Sequence, residues 1–276
     1  MRTSKVSIYF YSVTFLLIIL LSSCGGRQEG ETRAITDNKE RDEMTSRVVE
    51  EIEKYPVPTA VEIIELLQRA GAPYILGISN PASNVDRYFT EHSKALNLGV
   101  YGADLSYAGT YEMNQDIRKY LQVCKKLIDE LNISTSFNQS FVQRVETNLE
   151  DKDSLINILS ESFFDTYVFL LENRRDDLSL LVMVGSWIEG MYLTSQIAIG
   201  ARQNTEITNI ILQQNETVEK LLTLLKEYED DTYIYPFYTD LTEIYEFLNE
   251  LQSPMTNESL NAFSEKIEKL RMKVIA

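Results

Sequence analysis

Leu178-Ser179-Leu180-Leu181-Val182-Met183-Val184-Gly185-Ser186-Trp187-Ile188-Glu189-Gly190-Met191-Tyr192-Leu193-Thr194-Ser195-Gln196-Ile197-Ala198-Ile199 is apolar on nearly every side when wound as a helix. Such a helix belongs in the middle of a bundle. A second stretch, roughly Glu91 to Tyr107, has the same character, with Ala95, Leu96, Leu98, Val100, Ala103 and Leu105 around Gly99 and Gly102. The two are expected to form the central pair. Glycine inside a helix costs about 1 kcal/mol relative to alanine. Gly99, Gly102, Gly185 and Gly190 therefore point to close backbone approach, either to a neighbouring helix or to a ligand.

Working outward from this pair, helical periodicity recurs and strand-like alternation is nearly absent, which predicts an all-α bundle of about eight to nine helices. Thr59 opens a helix through Ile63, Ile64 and Leu67 as a capping box, and Gly71 and Pro73 close it. Ile117, Tyr120, Leu121, Cys124, Leu127, Ile128 and Leu131 keep one apolar face over several turns. Cys124 sits on that face and reads as a small buried hydrophobe.

Further stripes run through Ile156, Leu159, Phe163, Tyr167 and Leu170, and through Ile207, Ile210, Ile211, Gln214, Val218, Leu221, Leu222 and Leu225. Another runs through Leu241, Ile244, Tyr245, Leu248 and Leu251, with Pro236 at a helix start and Pro254 after a helix end. The last stripe, Leu260, Phe263, Ile267, Leu270 and Val274, has heptad spacing but is too short for a coiled coil, so it should dock on the body.

The amino end carries an address. Arg2 and Lys5 precede an apolar run ending Phe15-Leu16-Leu17-Ile18-Ile19-Leu20-Leu21, followed by Ser22-Ser23-Cys24-Gly25. This has the layout of a secretory signal. Leu21-Ser22-Ser23-Cys24 looks like a lipobox, in which Cys24 is diacylated on sulfur and becomes the new amino terminus. The organisation expected is a signal peptide over 1–23, a lipidated flexible tether over 24–39 and a single helical domain over 40–276. A coil of the tether's length spans on the order of 20 Å, enough to hold the body clear of a bilayer.

Composition narrows the chemistry. Net charge is −16, and removal of Arg2 and Lys5 with the signal makes the mature chain more anionic still. An acidic surface repels phosphate backbones, so no nucleic-acid partner is expected. One histidine and two cysteines exclude a zinc finger, an iron–sulfur cluster or a disulfide scaffold, and neither metal nor cofactor is expected. No nucleophile elbow, Walker loop or dinucleotide glycine pattern is present. His92 follows Glu91 directly rather than at the Glu-x-x-His spacing of di-metal bundles, and reads as a surface residue at a helix start.

Two acids stand out by isolation. Asp104 is the only acid between Glu91 and Glu112, and Glu189 is alone between Asp177 and Glu206. In apolar helices such carboxylates need partners or a cavity. Asn97, Tyr101 and Asp104 share one helix face, as do Ser186, Glu189 and Tyr192 or Leu193. Two readings stay open for the candidate site Asn97, Tyr101, Asp104, Trp187 and Glu189. One is a polar pocket for a small ligand or cation, the other a buried network that fixes helix register. A carboxylate pair also raises glycoside hydrolysis.

Two loops add to this. Tyr74-Ile75-Leu76-Gly77-Ile78-Ser79-Asn80-Pro81 reads as a short buried extended segment ending in a turn. Tyr233-Ile234-Tyr235-Pro236-Phe237-Tyr238 gathers aromatics beside Asp230 and Asp231, so Tyr233, Tyr235, Phe237 and Tyr238 are candidate partner-binding residues.

The runs Tyr55-Pro56-Val57-Pro58-Thr59, Gly77-Ile78-Ser79-Asn80-Pro81 and above all Ala95-Leu96-Asn97-Leu98-Gly99-Val100-Tyr101-Gly102-Ala103-Asp104-Leu105 resemble a group of uncharacterised helical lipoproteins from Bacteroidetes-type bacteria. The resemblance implies an outer-membrane lipoprotein with a helical body, and it supplies no activity. Asp153-Ser154-Leu155 also resembles the short O-glycosylation motif of such organisms.

The function expected is therefore an outer-membrane-anchored binding module for a small ligand or envelope component. The alternative is a structural or assembly partner in the envelope, and a hydrolase with paired carboxylates is third. The partners expected are the membrane, through acyl chains on Cys24, and an envelope protein or small ligand.

Overall fold

A computed structural model of the chain describes residues 60–276, apart from 134 and 202–203, and gives no side-chain detail for 135–138. The signal, the lipobox with Cys24, the tether, Tyr55–Pro58 and the Thr59 cap lie outside the described residues.

Among the described residues there are ten α-helices, one 3-10 turn at Ala82–Arg87 and no strand. We number the helices α1 Ala60–Arg69, α2 Glu91–Thr110, α3 Asn114–Glu130, α4 Thr135–Thr147, α5 Lys152–Glu172, α6 Asp176–Gly200, α7 Thr205–Leu212, α8 Asn215–Lys226, α9 Tyr235–Glu250 and α10 Asn257–Ile275. The fold is an all-α bundle with α2 and α6 at its centre.

The central pair is built as its composition requires. Every residue of α2 from Ala95 to Thr110 is buried, and α6 is buried along most of its length. α2 starts at a reciprocal cap, in which the Thr90 hydroxyl accepts from the Ser93 amide and Ser93 Oγ accepts from the Thr90 amide. The two helices cross at their glycines. A Cβ on Gly99 would lie 2.1 Å from the Val182 carbonyl oxygen, and one on Gly185 would lie 1.9 Å from that of Leu96. The backbones touch there. Gly102 instead makes room for the Phe163 ring, whereas Gly190 has Ala60 Cβ no nearer than 3.5 Å.

Around this pair lie amphipathic helices. α1, α3, α5 and α10 pack on α2, and α1, α5, α7, α8 and α10 pack on α6. The α3 stripe and the α10 stripe are buried as their spacing predicts. α5 and α6 are long and apolar enough to cross a membrane, but 94% of the most apolar window of α6 is buried inside the fold, as befits a core helix.

Four helices end alike. After α1, α2, α3 and α5 the chain passes through a left-handed residue at Gly71, Glu112, Asn132 and Arg174, and the next amide bonds back to Leu67, Ala108, Ile128 and Leu170 respectively. This pair of reversed bonds satisfies carbonyls that the helix end leaves open.

Two expectations are corrected. The stripe from Ile207 to Leu225 is not one helix but two, with buried Gln214 at the junction. Its side-chain amide donates to the Ile210 carbonyl and accepts from the Trp187 indole, while its backbone amide shortens to Ile211. The Tyr74–Pro81 segment is an irregular loop rather than an extended buried one. Gly77 takes φ +80, Leu76 is 75% exposed, and Asn80 alone is fully buried.

Candidate functional site

α2 and α6 bring the two isolated acids together. Asp104 and Glu189 lie close enough for each to influence the other's ionisation, and both are fully buried. A third helix closes the cluster: Arg271 of α10 donates from Nε to Glu189 Oε2 at 2.6 Å and from Nη2 to Oε1 at 2.8 Å. This is a two-pronged guanidinium–carboxylate pair, the geometry best suited to a water-free site. The guanidinium also lies 4.0 Å above the Tyr192 ring and reaches the Ile78 carbonyl at 3.5 Å. Asp104 Oδ2 accepts from the Asn80 amide at 3.0 Å, while Oδ1 has no donor.

The electrostatics follow from burial. Removal from water pushes the Asp104 carboxyl well above the usual carboxylate range, and the Glu189 charge adds to this. Arg271 opposes the rise. Burial raises Glu189 too, but the Arg271 charge and its two hydrogen bonds hold that group back. Of the two acids, Asp104 is thus the one whose charged form is opposed more strongly.

The loop before α2 is fastened to the same face. Tyr101 donates to the Pro81 carbonyl at 2.9 Å, and Asn80 Nδ2 donates to Tyr88 Oη at 3.0 Å. Further along, Tyr107 accepts from the Ile75 amide at 2.7 Å, Tyr111 donates to the Ala72 carbonyl, and Tyr74 donates to Asp116 at 2.8 Å. Tyr74 and Tyr107 are stacked at 4.5 Å.

The remaining candidates go elsewhere. Asn97 donates to Ser93 and Val274 carbonyls, the latter at 2.9 Å, so it holds the end of α10. Trp187 faces another side of α6 and donates to Gln214 Oε1 at 3.3 Å. All five candidates are buried, and the arrangement is that of a packed polar network. Asp104 and Glu189 are close together, as acid and base chemistry would need, but they are closed to solvent.

Sequence reasoning missed Arg271. A signal was present, since Arg271 stands four residues after Ile267 and three before Val274, on the apolar stripe of its helix. Its neighbours Lys269 and Lys273 hid it by suggesting a solvated face.

The aromatic corner is mixed. Phe237 is core, and Tyr233 is half-buried against His92 with ring centroids 4.9 Å apart. Tyr235 is 37% exposed and stacks on the partly buried Tyr238 at 5.4 Å, nearly parallel. Asp231 shapes the turn by accepting from the Tyr233 and Ile234 amides. His92 sits 3.2 Å from Asp177 rather than free on the surface.

A small apolar cavity of about 20 Å³ lies between α2, α3, α4 and α5, lined by Leu98, Leu105, Cys124, Phe141, Ser162 and Phe163. It has room for about one water. Cys124 is buried and its thiol is pushed up by loss of solvent, which leaves it an unreactive wall residue. Comparison of the chain with protein-family models, curated proteins and solved structures finds no match.

Proposed function

We propose that this chain is a lipoprotein anchored in the outer membrane through acyl chains on Cys24, whose helical body binds an envelope component. The observation that carries the binding role is where its polar chemistry lies. The two isolated acids are enclosed and matched by Arg271, which leaves recognition to the outer surface. There the stacked Tyr235 and Tyr238 present rigid, amphipathic rings beside exposed Asp230. Tyrosine gives large contact area at small entropic cost, which suits a protein partner. Anchoring rests on the basic, apolar and lipobox pattern of residues 2–24.

Two measurements test the proposal. Palmitate labelling should mark the wild-type chain and not Cys24→Ser, and the serine variant should leave the membrane fraction. A photo-crosslinking residue at Tyr235 should trap one defined envelope component in cells, whereas the same residue at exposed Glu219 should not. Unchanged fractionation of the serine variant, or identical products from both crosslinking positions, would refute the anchor and the binding face respectively.

A further inference from the structure

We propose that Asp104 keeps its proton and donates it to Glu189, and that this proton latches the Ile78–Pro81 loop and the carboxy-terminal helix α10 onto the central pair. The argument begins with pairing. Both Glu189 oxygens are taken by Arg271, and Asp104 Oδ2 is taken by the Asn80 amide. Asp104 Oδ1 is buried without a donor, which is costly for a carboxylate and resolved if that oxygen carries a proton and donates to Glu189. Without the proton, two negative charges would share one guanidinium in a site closed to water.

The Ser79 hydroxyl also faces Asp104 and opposes the rise, but less than Arg271 does, and it brings no charge to offset a second carboxylate. Around Asp104 lie the phenols of Tyr101 and Tyr107 on its own helix and Tyr120 on α3, the thiol of Cys124 on α3, and Tyr192 beside Arg271 on α6. Burial pushes all of them up, Tyr107 to about 12, so they stay neutral over the ordinary pH range. The charged groups facing the acid are Glu189 from α6 and Arg271 from α10.

The same cluster is a clasp. Asp104 holds Asn80, Arg271 reaches Ile78, and Glu189 holds Arg271, so one hydrogen-bonded unit ties α2, α6, the loop and α10. Opening the clasp exposes Asp104 to water, where its affinity for the proton falls to the ordinary value near 4. The closed state binds more protons than the open one. Its stability is thus fully present below about pH 4 and is lost as pH rises towards the folded value, by up to tenfold per pH unit for one proton.

Hydrogen exchange between pH 5 and pH 9, corrected for intrinsic rates, tests this on the full chain. Protection of the Asn80 amide, which donates to Asp104, and of the last turns of α10 should fall together as pH rises, while the middle of α3 stays unchanged. Asp104→Asn retains a donor towards Glu189 and an acceptor for the Asn80 amide, so it should flatten the response and keep α10 protected at pH 9. Infrared spectra of the wild-type chain provide a readout that needs no variant. A protonated-carboxyl band at neutral pH should shift with isotope-labelled aspartate and not with labelled glutamate. Absence of that band, pH-independent protection, or an asparagine variant that keeps the wild-type profile or fails to fold would overturn the proposal.

Discussion

The central helices meet in two places by opposite means. At the glycine crossing, Gly99 and Gly185 contribute nothing but the absence of a side chain, and the contact is complete with two helices. About one turn further along each helix, Asp104 and Glu189 contribute buried carboxyl groups and draw in a third helix, because Glu189 is matched there by Arg271. Shape is thus settled locally and charge is settled by the far end of the chain. The first contact fixes how close α2 and α6 lie, and the second decides what else must dock on them.

The comparison breaks most visibly at the glycines. Gly99→Ala and Gly185→Ala drive a methyl into a carbonyl oxygen of the facing helix, and each should cost about 4 kcal/mol or more, read as a lower urea midpoint. Gly190→Ala should be neutral or stabilising by up to ~1 kcal/mol, since it meets only ordinary contacts and improves helix propensity. Equal losses at all three positions would show that close approach is not the cause.

The other side of α6 sharpens the contrast between charged and neutral pairing. Trp187→Phe removes the donor to buried Gln214 and should cost roughly 1–3 kcal/mol in thermal or urea unfolding. A loss well above this range would mean that Trp187 shares the energetics of the acid cluster. The smallest effect concerns a glycine that is absent. Glu112 is exposed and left-handed after α2, so Glu112→Gly should stabilise the fold by about 0.5–1 kcal/mol.

How legible this was depended on distance along the chain. The all-round apolar character of α2 and α6 and the single-face stripes of α3 and α10 are local periodicities, and the buried residues match them. The isolation of Asp104 and Glu189 was also local, and it marked the pair that converges. Arg271 lies 82 residues from Glu189 and beside two surface lysines, so nothing local announced it. Gln214 kept the helical spacing of its stripe, and its long-range partner, the Trp187 indole, lies 27 residues away in the chain, out of reach of a local reading. Glu112 and Arg174 take left-handed turns that their residue types do not favour, whereas Gly71 could be foreseen.

The central claim is that Glu189 and Arg271 act as one buried unit. A double-mutant cycle of Glu189→Gln, Arg271→Leu and the combined variant, followed by urea unfolding, tests it most directly. Each single change leaves a charge unpaired in the core and should cost about 3–5 kcal/mol, while the double variant should recover at least about 2 kcal/mol relative to their sum. Losses that add without recovery would contradict the pairing, and with it the account of how α10 closes over the two acids.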